Sequence, residues 1–135
     1  MGSMKIVLES DDSIHLLAAD GMLTIEAANE EQAYSPFHML ASALATCIFG
    51  VLESWAGQAE LTVNDLSVRV HWTFADNPHR VERMQVQLLW PSLPEPRVSA
   101  AKRVAALCAV HATLIHHPQI DIETSADPVG AGVTT

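Results

Sequence analysis

Apolar and polar residues alternate in short runs at the start of the chain and again in its middle, whereas two longer stretches are apolar at helical spacing. The first runs predict three short strands, at 5–8, 14–17 and 22–25. Turn sequences separate these strands, and Asp20-Gly21 is a favourable sequence for a two-residue hairpin. We therefore expect an N-terminal unit built of strands.

The stretch from 36 to about 57 is apolar on nearly every side, which is typical of a helix at the centre of a fold. Ser35 is suited to cap this helix, and Pro36 is suited to its first position. A chain of this size has too few other elements to cover such a helix completely. The pattern therefore predicts a two-fold dimer in which the N-terminal strands pack on the partner.

The apolar and polar pattern in the second half of the chain predicts two more strands, a helix and a last strand. Alternation at 66–74 and 84–90 predicts antiparallel, half-buried strands joined around Asn77-Pro78. A helix is predicted from 98 to 115, and a short strand at 120–123. The apolar stripe of that helix is formed by Val98, Ala101, Ala105, Cys108, Ala112 and Ile115.

This order of elements indicates one α+β domain with antiparallel sheets around two core helices. We expect the domain to span 4–126, after a cloning remnant at 1–3 and before a flexible tail at 127–135.

Composition and charge narrow the class of protein. The 135 residues suffice for one domain with a sizeable core, and 49% of them are apolar. Sixteen acidic and seven basic residues give a formal net charge of -9, so we expect no nucleic-acid partner and no anionic membrane partner. The sequence opens without a secretory leader and has no uninterrupted apolar run of roughly 18 to 20 residues. We therefore expect a cytoplasmic protein.

Two cysteines carry the candidate chemistry. Cys47 and Cys108 each lie in an alanine-rich apolar stretch, where a thiol is either inert core filling or half of a redox pair. A structural disulfide is disfavoured in a reducing compartment. Apart from His111, no histidine lies at a recognised ligand spacing from either cysteine, and a structural zinc site needs four ligands. We therefore expect no metal.

The segment SPFHMLASALATC, which ends at Cys47, and the later segment CAVHATL, which begins at Cys108, resemble the two signature segments of the osmotically inducible protein C (OsmC) and organic hydroperoxide resistance (Ohr) family. The resemblance implies an OsmC-like fold in an intertwined homodimer that brings the two cysteines together. It implies defence against oxidative stress, in which Cys47 reduces an organic hydroperoxide and Cys108 resolves the sulfenic acid, without a cofactor. The implied partners are a small hydrophobic hydroperoxide and an external thiol reductant.

The chain departs from that family at the residues that activate the thiolate. Well-known members carry an arginine in the N-terminal region and a glutamate directly after the proline that opens the first helix. This chain has Phe37 at the glutamate position, and Lys5 is its only lysine or arginine before Cys47. In some OsmC-like members the acid lies one position later, which is His38 here.

His38 and His111 are the candidates that remain near the thiols. On an ideal helix His38 lies opposite Cys47, so a role in the site requires an irregular first turn or a contact with the partner chain, and the alternative is a solvated residue. His111 follows Cys108 by three residues, which makes their side chains neighbours on a helix. It either holds a thiolate or packs with one backbone hydrogen bond.

The remaining cationic residues have simpler explanations. His116 and His117 lie at the end of the second helix, where capping suits them better than metal binding. Arg69 or Arg80 could reach Cys47 from another element, although Arg69 also fits the exposed face of a strand.

Two functions remain open at this point. One is a cofactorless thiol peroxidase that uses Cys47 and Cys108, assisted by His111 or His38. The other is a dimer of the same fold that lacks peroxidase activation and binds a small apolar ligand or responds to redox conditions.

Overall fold

The first two strands form a hairpin. In the computed structural model, which describes residues 4–33 and 35–126, strand β1 (Met4–Ser10) pairs antiparallel with β2 (Ser13–Ala18). The side chain of Ser10 donates to the Asp12 carboxylate over 2.8 Å and closes the turn. The predictions for 1–3 and 127–135 lie outside the described residues.

Strand β3 (Thr24–Glu26) pairs parallel with β1, so the sheet is mixed. The expectation of a hairpin at Asp20-Gly21 is therefore wrong, while the other three strand pairs of the sheet are antiparallel. The free edge of β2 is taken by β4, and the chain crosses over to the outer edge of β1 instead. Gly21 lies in this crossover with a φ of 90°, a conformation that favours glycine.

The two long strands of the middle region complete the sheet. β4 (Ser67–Ala75) and β5 (Arg80–Leu89) form an antiparallel pair around Asn77-Pro78, as the alternation predicts. β4 also pairs with β2, which gives one five-stranded sheet in the order β3-β1-β2-β4-β5. In the single chain described here, the N-terminal strands therefore pair with a strand of the same chain.

The long apolar stretch forms a helix that packs on this sheet. After the short helix α1 (Glu30–Ala33), helix α2 spans Pro36–Gln58, with the Ser35 side chain accepting from the backbone N–H of His38 at its start. Length and composition would allow α2 to cross a membrane, but a core helix passes the same test. One face of α2 is buried: His38, Ala41, Leu44, Ala45, Ile48, Phe49, Leu52 and Ala56.

The core lies between this face of α2 and the inner side of the sheet. Alternate residues of the strands point toward the helix, as a period of two requires. These inward residues are Ile6 and Leu8 of β1, Ile14 and Leu16 of β2, and Val68, Val70 and Trp72 of β4. The other side of α2 is only partly covered, and Met39 there is 56% exposed.

The second predicted helix is interrupted. After a 3-10 turn at Glu95–Arg97, α3 spans Val98–Ala105 and α4 spans Ala109–Ile115, and the two parts meet at a bend of 60°. The prediction of one continuous helix over 98–115 is therefore wrong. Its apolar stripe extends through Cys108, but that residue forms the N-cap of α4 instead of lying inside a helix.

The predicted last strand at 120–123 is also not formed. Ile120 and Ile122 are 77% and 92% exposed, and no described strand pairs with this segment. Alternation favours a strand only where a neighbouring edge accepts its backbone hydrogen bonds.

Candidate functional site

The two free cysteines lie where α2 meets the bend between α3 and α4. Cys47 is in the middle of α2 and is half-buried, while Cys108 has no exposed surface. Contacts between α2 and both of the later helices hold the two segments against each other. The fold thus brings together two thiols that are far apart in the sequence.

Three neighbouring groups lower the pKa of the Cys47 thiol. Burial raises the pKa of the Cys47 thiol, but the side chain of Cys108 and the backbone N–H groups of Val110 and Ala109 lower it by more. The pKa of Cys47 is therefore below its ordinary value. Hydrogen bonds to an anion favour the charged form, and N–H groups at a helix N-terminus are a common source of them for cysteine.

The second thiol is shifted in the opposite direction. Burial raises the pKa of Cys108, and its hydrogen bond to Cys47 raises it further. The backbone N–H groups of His111 and Val110 oppose this shift without cancelling it. Cys108 is therefore the protonated donor of the pair, and Cys47 is the thiol that ionises first.

The break in the helix explains why backbone donors are available. The first N–H groups of a helix have no partner within the helix. Because α4 begins at Ala109, the N–H groups of Ala109, Val110 and His111 all lie in its first turn, where sulfur atoms accept from them. In an uninterrupted helix these groups would instead bond to carbonyls one turn earlier.

The contacts of His111 fit the second of its two predicted alternatives, packing with one backbone hydrogen bond from the ring. The backbone N–H of His111, and not its imidazole, donates to the Cys108 sulfur over 3.4 Å. The imidazole Nδ1 lies 3.0 Å from the carbonyl oxygen of Ala106, to which it donates across the bend. Cys108 lies just before the helix begins, so the spacing of two residues inside one helix does not describe this pair.

His38 lies on the sheet side of α2. Its Nε2 donates to the carbonyl oxygen of Ser10 over 2.7 Å, and its ring meets that of Trp72 edge-on at 5.0 Å. The residue is buried, so the alternative of a solvated first-turn residue is wrong. Both of these contacts are with the sheet, whereas Cys47 contacts α4.

The two candidate arginines have other partners. Arg69 pairs with Glu9 at 3.0 Å, on the outer face of the sheet. Arg80 donates to the carbonyl oxygens of Asp76 and Pro78 at the turn between β4 and β5. His116 forms the C-cap of α4 through its backbone N–H, which matches the capping position expected of it.

Phe37, at the position of the family's glutamate, packs against another aromatic ring. Phe37 packs edge-on against Phe74 with ring centroids 4.8 Å apart. An open groove of about 880 Å³ begins beside Phe37. It lies between α2, β5 and the bent pair of helices α3 and α4. Its apolar wall includes Phe37, Leu40, Leu44, Ile48, Met84 and Leu88, and its basic residues include Arg80, Arg83 and Lys102.

Some residues of the groove wall lie in the same turns of helix as the thiol site. Leu44 and Ile48 line the groove from the part of α2 that carries Cys47, and His111 lines it from the first turn of α4. No group of three or more metal-ligating side chains comes together within the part of the chain that the structure describes.

Ala109 and Val110 are the site residues that sequence reasoning missed. They act through their backbone N–H groups, so their side chains carry no sign of the role. This role depends only on where helix α4 begins, and the apolar pattern of the sequence continues through that point.

Comparison with known proteins agrees with this architecture. A crystal structure from Psychrobacter arcticus 273-4, of a protein provisionally described as an osmotic stress induced and detoxification response protein, superposes with a TM-score of 0.57 at 18% identity. The match covers 84% of this chain and 88% of that one, and it shows the shared fold. No curated protein sequence is significantly similar to the chain. The sequence profile of the OsmC-like protein family matches residues 29–123, which is most of the chain, and the chain therefore belongs to that family.

Proposed function

We propose that this protein reduces organic hydroperoxides, with Cys47 as the nucleophile and Cys108 as the resolving thiol. Membership of the OsmC-like family implies a stress-related peroxidase or redox function in general terms. The observation that carries the specific proposal is the asymmetry of the thiol pair: the pKa of Cys47 is lowered by its three hydrogen-bond donors despite burial, whereas burial raises the pKa of Cys108.

In the first step the Cys47 thiolate attacks one oxygen of the hydroperoxide. An S–O bond forms as the O–O bond breaks, the sulfur is oxidised to a sulfenic acid, and the peroxide is reduced to an alkoxide. The alkoxide takes a proton from solvent and leaves as an alcohol. Lowering the pKa of Cys47 raises the fraction of thiolate, which is the reacting form.

In the second step the Cys108 sulfur attacks the Cys47 sulfenic acid. An S–S bond forms, and the hydroxyl leaves with the Cys108 proton as water. The opposite pKa shifts of the two thiols support this step, because Cys108 then keeps the proton that leaves with the hydroxyl. An external dithiol then reduces the disulfide and restores both thiols.

The groove supports an apolar substrate. Its wall is formed largely by aliphatic and aromatic side chains, and Leu44 and Ile48 connect it to the turns of α2 around Cys47. A small hydrophobic hydroperoxide would bury its alkyl group there while its peroxide group lies toward the thiols.

The second candidate function is a redox-responsive or ligand-binding protein without efficient turnover. It is favoured by the contacts of the arginines, since Arg69 pairs with Glu9 and Arg80 donates to backbone carbonyls. In this alternative no arginine stabilises the departing alkoxide, and oxidation of the thiols is slow.

The test is consumption of cumene hydroperoxide by the purified protein with dithiothreitol as reductant. The wild type is expected to turn over repeatedly, and Cys47→Ser is expected to lose activity. Without dithiothreitol, Cys108→Ser is expected to consume one equivalent and stop, with the Cys47 sulfenic acid trapped by dimedone and located by peptide mass spectrometry. Thr46→Ser, one position from Cys47 and keeping its hydroxyl, is the matched control.

Full consumption by Cys47→Ser would overturn the assignment of the nucleophile. Oxidation of both thiols by one equivalent of hydroperoxide, without repeated turnover under excess dithiothreitol, would favour the redox-responsive alternative.

A further inference from the structure

The bend between α3 and α4 lacks the usual sequence causes of a helix break. Sharp kinks arise most often at proline, at glycine or where a side chain inserts into the backbone ladder. The three residues at the bend are Ala106, Leu107 and Cys108, and the stripe on either side of them favours one continuous helix. A side-chain contact at the bend must therefore hold its angle of 60°.

One side chain spans the bend. The His111 Nδ1 donates to the carbonyl oxygen of Ala106 over 3.0 Å. This carbonyl lies just past the end of α3, where helical carbonyls lose their partners within the helix. Because a carbonyl can only accept, Nδ1 carries the proton, so the contact is possible for the neutral Nδ1–H tautomer and for the imidazolium. His111 thus joins the end of one helix to the first turn of the next.

The backbone of the same residue takes part in the thiol pair. Its N–H donates to the Cys108 sulfur, and the N–H groups of the two preceding residues lower the pKa of Cys47. If the bend closed into a continuous helix, those three donors would turn to backbone carbonyls and leave the sulfurs. The tie from His111 to Ala106 opposes that closure.

We propose that His111 is a positioning residue that holds the helix break open, so that backbone donors of α4 remain directed at the two sulfurs. The proposal deepens the assignment of Cys47 as the reacting thiol and therefore rests on it. It differs from direct acid-base or cationic assistance by the imidazole, since the functional atom is one N–H donor aimed at a backbone carbonyl.

Substitution can separate these two roles. In His111→Asn an amide N–H replaces the donor at the position of Nδ1, but the imidazole ring and its second nitrogen are lost. His111→Gln carries its amide further out and cannot replace Nδ1 equally well. His111→Ala loses every side-chain donor. His116→Asn, at the C-cap of the same helix, is the matched control.

The experiment measures the rate of iodoacetamide alkylation of Cys47 against pH, with each cysteine followed separately by peptide mass spectrometry. We expect His111→Ala to lower the rate at pH 7 by about three- to tenfold and to move the profile to higher pH, as a smaller thiolate fraction requires. His111→Asn is expected to restore most of the rate, His111→Gln less, and His116→Asn is expected to match the wild type.

An unchanged profile in His111→Ala would overturn the proposal. An equal loss in His111→Asn and His111→Ala would also overturn it, and would assign the effect to the imidazole itself. If His111→Ala does not fold, the alkylation rates of the other two variants still test the proposal, which expects a higher rate in His111→Asn than in His111→Gln. Hydroperoxide turnover does not enter the measurement, so a failure of the proposed peroxidase activity is recorded separately.

Discussion

The side chain of Cys108 lowers the pKa of the Cys47 thiol, whereas Cys47 raises the pKa of the Cys108 thiol, so the two thiols are shifted in opposite directions. Burial raises the pKa of both groups, but the hydrogen bond stabilises the thiolate of the acceptor and the protonated form of the donor. The pair thus defines which sulfur ionises first. We propose that this arrangement takes, in part, the place of the arginine and glutamate that well-known members of the family carry.

Removing the Cys108 donor is therefore expected to raise the pKa of Cys47. In Cys108→Ala we expect alkylation of Cys47 at pH 7 to slow by roughly three- to tenfold, because a smaller fraction is thiolate. Cys108→Ser retains a hydroxyl donor and is expected to lose less. Stopped-flow or timed iodoacetamide labelling between pH 5 and 10 measures the effect. Identical profiles for the Ala and Ser variants would show that the donor has no influence on Cys47.

The contacts of His38 predict a structural role for this residue. His38→Ala loses the hydrogen bond to the Ser10 carbonyl inside the core, which is expected to lower the free energy of unfolding by about 1–3 kcal/mol. Urea denaturation measures that loss. His38→Gln, which keeps an N–H donor, is expected to lose less.

The same variants test the alternative role in catalysis. Alkylation of Cys47 is expected to be unchanged in His38→Ala, since the contacts of His38 lie on the sheet. Slower alkylation in a variant of unchanged stability would instead support the catalytic role that the family resemblance suggests.

The elements predicted correctly from sequence are those whose pattern and termini agree. Helix α2 has an apolar pattern, a serine cap and a proline at its start, and β4 and β5 alternate over many residues around a proline turn. The local preferences and the tertiary environments of these three elements favour the same structure. Their predicted bounds therefore lie within a few residues of the observed ones.

The errors arise where a distant contact decides the structure. The pairing of β3 depends on β4 occupying the edge of β2, and the break before Ala109 opposes a stripe that favours continuity. The two cysteines could be selected as a pair from the sequence. The backbone donors of Ala109 and Val110 could not, because no side-chain pattern marks where a helix begins within an apolar run.

The environment of His15 predicts a loss of stability in acid. Burial lowers the pKa of His15, the positive charge of Arg69 lowers it further, and Glu9 opposes both. Because the folded-state pKa is the lower one, the stabilisation is present above the unfolded value of about 6.5. It is lost as the pH falls through the folded pKa, since the unfolded chain binds the proton more readily.

We expect His15→Gln to lose less stability than the wild type between pH 7.5 and pH 5. Urea denaturation at several pH values measures the difference in unfolding free energy. His79→Gln serves as the control, because the His79 side chain is 62% exposed at the turn between β4 and β5. Parallel stability curves for the wild type and His15→Gln would contradict this account of His15.

The exposed apolar residues lead us to propose a two-fold dimer. Within the described chain, one side of α2 is only partly covered, Ile25 of the edge strand β3 is 57% exposed, and Ile120 and Ile122 are largely exposed in an extended segment. The alternation of these isoleucines with Asp121 and Glu123 suits a strand that pairs with another chain. A second copy would supply both the missing strand neighbour and the missing cover for α2.

Sedimentation velocity across a dilution series is expected to show a dimer that persists at low concentration. Ile122→Asp places a charge where the proposed contact is apolar, so it is expected to shift the population toward monomer. Asp121→Asn, at the adjacent exposed position, is expected to leave the dimer intact. Because an obligate dimer has no stable folded monomer, the unfolding midpoint should also fall on dilution. A monomer that remains well folded at sub-micromolar concentration would contradict the proposed assembly, since the exposed isoleucines would then need no partner.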